Sequence, residues 1–304
     1  SNLLKLSAGI AAAVVLLSIL LSQMLTRKIS TLLTAIRKVR AGAYEHRTHI
    51  SGRDEIAQIG EEFNSLTDRL QTTETLRRRF VSDASHELKT PLAAIRLLTD
   101  SILQTDQMDM ETVRDFVTDI GSEAERLSRI TEDLLRLTRL DSDLLDAPET
   151  VEVAPVLEQV MRMMSLLAQE KGTELTYRME ENCRVSATKG EVHQVIYNLT
   201  DNAVKYSGKN GKVRVELRHE DRDVVLTVAD NGPGIPEEDL PKVFERFYRV
   251  DKARSRAAGG TGLGLSIVQD TVKKRGGTVS AANRAGGGAV FTVRWPEAEG
   301  GDRS

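Results

Sequence analysis

The sequence predicts a multidomain protein: one membrane-crossing helix, then helical coiled-coil and bundle segments, then an α+β sandwich. Three observations carry this expectation. Leu6 to Thr26 contains no charged residue. Between residues 29 and 141, apolar side chains recur three or four apart, the spacing of amphipathic helices. Fifteen of the 22 glycines fall after residue 200, so long helices belong to the first half and tight turns to the last third. At 304 residues the chain has room for several domains.

Charged residues make up 29% of the chain and the net charge is −3, which argues against a broadly basic nucleic-acid binder and against an acidic tail. The single cysteine, Cys183, rules out an internal disulfide framework. It fits a reducing compartment for the bulk of the chain and predicts a buried structural thiol.

The uncharged stretch at 6–26 is about as long as a bilayer is thick. A signal peptide is the competing reading, but no small-residue cleavage site follows and a helical pattern runs straight on. Arg27, Lys28, Arg37, Lys38 and Arg40 follow the span, against Lys5 alone before it. The positive-inside rule therefore puts everything after residue 26 in the cytoplasm, with lipid as the partner of residues 6–26 in the inner or plasma membrane. The missing initiator Met and missing outside domain predict a fragment whose input region precedes Ser1.

Residues 29–48 and 54–78 read as two amphipathic helices around a turn at Ser51-Gly52-Arg53. Leu32, Leu33, Ile36 and Val39 mark the first stripe; Ile56, Ile59, Phe63, Leu66 and Leu70 mark the second. Neither helix buries its stripe alone, so a parallel homodimeric coiled coil is expected. Asp54-Glu55-Ile56 and Phe63-Asn64 make the segment 27–78 resemble a HAMP signal-relay module, although Lys28-Ile29-Ser30 stands where that family often has proline. A plain coiled-coil stalk is the alternative.

Phe80 to Leu92 places His86 beside Glu87, with Thr90 one turn on and Pro91 within a helical pattern. Projected at 100° per residue, Leu76, Phe80, Ala84, Leu88, Ile95, Leu98 and Ile102 share one side. His86 falls on the opposite side, facing solvent. An imidazole nitrogen can attack an electrophile or take a proton, and a neighbouring carboxylate can orient the ring or accept its proton. Pro91 predicts a local bend. This helix should run to about Leu103, with a turn at Gln104 to Asp109. A second helix carries Val113, Phe116, Ile120, Leu127, Ile130, Leu134 and Leu137. The resulting hairpin, 79–142, needs a partner hairpin to complete a four-helix bundle.

After a linker at 143–150, helices and strands mix over 151–297, ahead of a disordered tail at 298–304. Helices are expected at Pro155 to Lys171, Lys189 to Tyr206 and Leu263 to Arg275. Strands are expected at Glu174 to Met179, Arg184 to Ala187, Lys212 to His219, Asp223 to Ala229, Thr278 to Asn283 and Ala289 to Trp295. That order predicts one mostly antiparallel sheet with helices on one face.

Three stretches of this last region carry chemistry. On the helix at Lys189 to Tyr206, Glu191, Gln194, Asn198, Asn202 and Lys205 project within roughly an 80° sector. Asparagine is a mediocre helix former, and amide oxygens can hold a hydrated Mg²⁺ while amide nitrogens donate to phosphate. Asp230-Asn231-Gly232-Pro233-Gly234-Ile235-Pro236 follows an apolar strand. Its glycines allow a ligand close to the backbone, and its carboxylate can accept from the exocyclic amine of adenine. Gly259-Gly260-Thr261-Gly262-Leu263-Gly264-Leu265 opens a helix, offering bare N–H groups and a favourable dipole to phosphates. Between them, Phe244-Glu245-Arg246-Phe247-Tyr248-Arg249 leads into a basic loop, Asp251 to Ala258, placed to close over a nucleotide with Arg249 or Arg246 near its terminal phosphate.

Together these residues resemble a transmembrane sensor histidine kinase of two-component systems, with Phe80 to Leu92 as the phosphoacceptor box. The asparagine, glycine and phenylalanine boxes follow in the family's order. The resemblance implies a dimeric four-helix bundle and a Bergerat-type ATP-binding domain. It implies ATP and Mg²⁺ as cofactors, a homodimer, and a response regulator as partner. By motif, Asp230 meets adenine with Gly232, Gly234 and Ile235. Asn198 holds Mg²⁺. Asn202, Lys205, Tyr206 and the second glycine box (Thr261, Gly262, Leu263, Gly264 and Leu265) surround the phosphates. His86 attacks the γ-phosphoryl group with Glu87 as base or orienter, and Thr90 positions water for dephosphorylating the partner. Two other classes stay open on the residues alone: a nonenzymatic, nucleotide-driven relay, and a gyrase- or chaperone-like ATPase. Neither needs the His86 hairpin to carry phosphate.

Overall fold

The chain separates into two units, Ser1–Ser82 and Asp83–Ser304. The computed structural model describes residues 2–105, 108–141, 147–208, 210–251 and 260–298. The basic loop after Asp251, Gly259, the first half of the predicted linker (143–146) and the tail from residue 299 on lie outside the described residues, as does part of the turn at Gln104 to Asp109.

In the first unit, α1 (Asn2–Arg40) is one helix. Its stretch Lys5–Arg40 is long and apolar enough to cross a membrane. The amphipathic part stops at Arg40, short of the expected residue 48. Gly42 adopts φ +95, a left-handed conformation that only glycine takes at little cost, and Ala43 N–H reaches back to Lys38 O at 3.1 Å to end the helix. A loop leads to α2 (Glu55–Gln104). Asp54 caps it, accepting from Ala57 N–H at 3.0 Å and from Lys28 Nζ at 2.6 Å. The lysine's hydrogen bond holds the Asp54 carboxyl below its ordinary value. Asn64 straps the loop by bonding both the N–H and the C=O of Thr48 at 2.9 Å. Of the two predicted stripes, Val39 is buried, whereas Leu33, Ile36, Ile59, Leu66 and Leu70 stay exposed in the single chain.

The second unit begins within α2, which runs through Pro91 as one helix, and continues into α3 (Met110–Asp141). Ile130 and Leu137 are fully buried, while Leu92, Leu97, Leu103, Val117 and Leu135 on the same hairpin are exposed.

Beyond the hairpin, the described residues form the sandwich from seven strands and three α-helices. β1 (Glu149–Glu152) takes residues expected in the linker and pairs antiparallel with β3 (Arg184–Ala187). The main sheet has the order β2-β4-β5-β7-β6, with β2 (Glu174–Met179), β4 (Lys212–Glu220), β5 (Asp223–Asp230), β6 (Thr278–Asn283) and β7 (Ala289–Pro296). The main sheet is mostly antiparallel, as expected, with β2 alone lying parallel to its neighbour β4; the expectation of one sheet is corrected by the second, two-stranded sheet β1-β3 among the described residues. A parallel neighbour needs a long crossover, here supplied by β3 and α5 (Lys189–Tyr206). α4 (Val153–Glu170), α5 and α6 (Gly264–Lys274) complete the sandwich. Leu157, Met161, Ile196, Leu199, Leu226 and Phe291 are fully buried within it. Cys183 lies in this core, and burial pushes its thiol up to about 11. Ala298, expected in the tail, is tied to the sheet by its N–H to Arg184 O at 2.9 Å.

Candidate nucleotide and phosphoacceptor site

The start of α5 is fixed by its own sequence. The Thr188 hydroxyl accepts from Glu191 N–H at 3.2 Å, and the Glu191 carboxylate accepts from Thr188 N–H at 2.8 Å, a reciprocal cap. Arg275, past the end of α6, grips both oxygens of Glu191 at 2.8 and 2.9 Å. Glu191 was expected to face a ligand with its helix neighbours, but its role here is to brace the helix. One turn on, Gln194 donates to Asn198 Oδ1 at 2.8 Å, and Asn198 Nδ2 donates to Gly264 O at 3.1 Å. Lys205 pairs with Asp201 at 2.6 Å.

At the end of β5, Asp230 is buried. Its Oδ1 accepts from Gly232 N–H at 2.8 Å and from Ala289 N–H at 3.2 Å. Burial raises its pKa, partly offset by those two hydrogen bonds. Arg284 donates to the Asp230 backbone carbonyl at 2.9 Å. Gly288, at φ +93, packs so close to that carbonyl that a Cβ would overlap it. Such tight backbone approach explains the glycine turn between β6 and β7.

The second glycine stretch turns into α6 at Gly262 (φ +75), where Phe247 N–H bonds Gly262 O at 2.8 Å. Leu263 is fully buried and holds the position just before α6 without a side-chain cap. Phe244 meets Phe291 edge-on with centroids 6.2 Å apart, anchoring the aromatic stretch. Tyr248 donates to Asp239 at 2.6 Å, and that bond lifts its hydroxyl pKa to about 12.

These pieces enclose one cavity of about 390 Å³. Its lining includes Asn198, Asn202, Lys205, Tyr206, Asp230, Gly234, Ile235, Arg249, Thr261, Gly262, Gly264 and Leu265. Gly232, Leu263 and Arg246 do not reach it; Arg246 bonds Asp270 at 3.0 Å. Arg129, Glu132, Asp133 and Arg136 of α3 also line the cavity. Sequence reasoning missed them, because a polar face at i, i+3, i+4 and i+7 looks like ordinary solvated helix surface. Thr261 Oγ1 donates to Asp133 at 2.8 Å, and burial raises the Asp133 pKa.

On α2, His86 is exposed, as expected, and Thr90 Oγ1 donates to His86 O at 3.2 Å. Glu87 accepts from Arg249 at 3.0 Å and from Arg126 at 3.3 Å. No cluster of three or more His, Cys, Asp or Glu suited to a metal occurs among the described residues. Asn198 and Asn202 on the cavity wall carry amide oxygens, the hard kind of ligand that a hydrated Mg²⁺ takes, and that of Asn198 also accepts from Gln194.

Three family models match the chain. The HAMP domain matches residues 20–72, the His Kinase A (phospho-acceptor) domain 76–143, and the histidine kinase-, DNA gyrase B- and HSP90-like ATPase 187–299. Among named relatives, the signal transduction histidine-protein kinase AfsQ2 of Streptomyces coelicolor is 35% identical over 318 residues, covering 97% of this chain and 58% of that protein. The chain spans about three fifths of the length of the curated relatives it matches. Full-length ShkA in complex with AMPPNP is a solved structure with TM-score 0.53 and 29% identity, covering 74% of this chain and 46% of that one. Histidine kinase ThkA in complex with response regulator protein TrrA has TM-score 0.60 and 23% identity, over 82% and 69% of the two chains, a likeness of fold. The chain therefore carries these three domains in this order, and the relatives it resembles are named signal transduction histidine-protein kinases.

Proposed function

We propose that the protein is a membrane-anchored histidine kinase that phosphorylates its own His86 from Mg-ATP and passes the phosphoryl group to an aspartate of a response regulator. Asp230 reads adenine. Asn202, Lys205 and the second glycine stretch hold phosphate, and Asn198 holds the metal, which offsets phosphate charge when bound. Glu87 orients the imidazole or takes its proton. Thr90 positions a water for removing the phosphoryl group from the regulator. The exposed leucines of the hairpin support a homodimer, in which a second hairpin covers them. Residues 6–26 anchor the chain in lipid, with everything after residue 26 on the cytoplasmic side.

The observation that best supports this reading is the single cavity uniting the amide face of α5 with both glycine stretches, with Arg249 joining it to Glu87 beside an exposed His86. With labelled ATP, the protein should acquire an acid-labile phosphate. His86→Gln should abolish the label while nucleotide binding survives, and Asn198→Ala should abolish both label and Mg²⁺-dependent binding. Normal labelling of His86→Gln protein rejects the assignment.

A further inference from the structure

Val213 and Val215 of β4 and Val228 of β5 pack into the core with α5, so the alternate residues Lys212, Arg214 and Ala229 belong to the opposite face of the main sheet. On that face a second cavity opens, of about 330 Å³, walled by Glu174, Lys212, Arg214, Asn231 and the turn at 284–287. Its charge is one-sided. Lys212, Arg214 and Arg284 bring three cations against one acid, Glu174, whose carboxylate takes Lys212 at 3.1 Å. The two guanidinium groups keep most of their donors. Among the described residues, the Arg284 side chain makes one hydrogen bond, from Nη1 to Asp230 O at 2.9 Å, and Arg214 has one ion-pair partner, Glu216 at 4.0 Å. Paired guanidinium forks match the oxygens of phosphate.

This cavity shares a wall with the nucleotide cavity. Asp230 lines the nucleotide side, yet its backbone carbonyl holds Arg284 of the second cavity. Its neighbour Asn231 lines the second cavity and accepts from Lys212 N–H at 2.6 Å. Gly288 presses on the same carbonyl and leads straight into Ala289, whose N–H donates to Asp230 Oδ1 at 3.2 Å.

We propose that the second cavity is an effector site for a small phosphate-bearing anion held by Arg214 and Arg284, and that filling it weakens adenine nucleotide binding on the far side of Asp230. An oxyanion on Arg284 competes with the Asp230 carbonyl for the guanidinium. Loss of that bond frees the turn at 284–288, and with it the Ala289 N–H that orients the Asp230 carboxylate. The coupling is reciprocal, so nucleotide weakens the anion by the same factor. The coupling rests on the reading of Asp230 as the adenine contact; the anion site itself does not.

Inorganic pyrophosphate is the probe, titrated calorimetrically into the full chain at constant ionic strength. Wild type should bind it with a Kd below about 1 mM, and Arg214→Glu should weaken that binding by about tenfold. The Arg214 side chain is 67% exposed and outside the nucleotide cavity, so this variant should bind a non-hydrolysable ATP analogue within about twofold of wild type. Arg284→Ala should lose pyrophosphate as well; retention there reduces the site to loose attraction by Arg214 and overturns it. With pyrophosphate present at a fixed saturating level, the Kd of the analogue should rise about fivefold in wild type and less than about twofold in Arg214→Glu. An equal rise in both proteins means competition inside the nucleotide cavity and overturns the proposal, as does equal pyrophosphate affinity in both or none in wild type. An unchanged analogue Kd in wild type overturns the coupling. Failure of wild type to bind the analogue at all removes the nucleotide reading instead, and the pyrophosphate titrations still decide the anion site.

Discussion

Thr261 donates its hydroxyl proton to Asp133 at 2.8 Å, so an acid from α3 rests on the second glycine stretch inside the nucleotide cavity. Burial raises the pKa of that acid, and the Thr261 hydrogen bond partly opposes the rise. The stretch it occupies is the one proposed to hold phosphate, which carries the same sign of charge.

Asp133→Asn should therefore bind nucleotide more tightly. Asparagine keeps an oxygen able to accept from Thr261 and removes the like charge. At protein-like screening, a charge several ångströms from phosphate costs on the order of 1 kcal/mol, about a fivefold change in affinity. Calorimetric titration with a non-hydrolysable ATP analogue at pH 7.5 reads it. Acidification should narrow the gap, because the wild-type carboxyl takes up a proton at higher pH than an ordinary aspartate. Weaker binding by the variant counts against repulsion as the role of Asp133.

Asp230 should show the opposite balance between stability and binding. Its folded pKa is raised by burial, so the ionised form is less favourable in the fold than in the unfolded chain. The sign follows from linkage: the wild type is most stable below the unfolded pKa and loses stability as pH rises through the folded one. Asp230→Asn retains an oxygen for Gly232 and Ala289 N–H and removes the charge. At pH 7 it should resist urea better than wild type, by about 1 kcal/mol. The difference should shrink on acidification toward the unfolded carboxylate range, while adenine nucleotide binding is lost. A pH-independent difference argues that the charge is not its source.

What sequence could reveal here was decided by locality. The limits of α5 match expectation because Thr188 and Glu191 form a cap written within four consecutive residues. The amide face of α5 and the two glycine stretches were legible for the same reason. The parallel pairing of β2 with β4 and the strand at Glu149–Glu152 were not, since both depend on partners some 35 residues away. The two arginines of the aromatic stretch were indistinguishable in sequence. Phe247 between them adopts φ +62, and the chain directs Arg246 to Asp270 and Arg249 to Glu87.

Glu191→Ala should be among the most damaging changes outside the cavity. It removes half of the α5 cap, worth about 1 kcal/mol, and takes away the carboxylate that both Nε and Nη2 of the nearly buried Arg275 grip. Breaking an enclosed ion pair by removing one partner costs on the order of 3 kcal/mol. Calorimetric melting should show a large drop in Tm. Adding Arg275→Ala should recover part of it, because the buried charge that lost its carboxylate is then gone. Fully additive losses in the double variant would exclude coupling between the two residues.

Gly288 and Gly286 separate backbone strain from collision. Both lie in the turn between β6 and β7, at φ +93 and +94. A Cβ on Gly286 meets nothing within 4 Å, whereas one on Gly288 overlaps the Asp230 carbonyl. Gly286→Ala should cost about 1–2 kcal/mol, the strain of the positive φ alone. Gly288→Ala carries the same strain and must also push β7 away from the end of β5, for a total of about 3–4 kcal/mol. That displacement moves Ala289 N–H off Asp230, so Gly288→Ala should weaken adenine nucleotide binding as well, and Gly286→Ala should not. Urea unfolding and nucleotide titration of the two variants side by side measure both effects, and equal losses would mean that the contact with Asp230 contributes nothing.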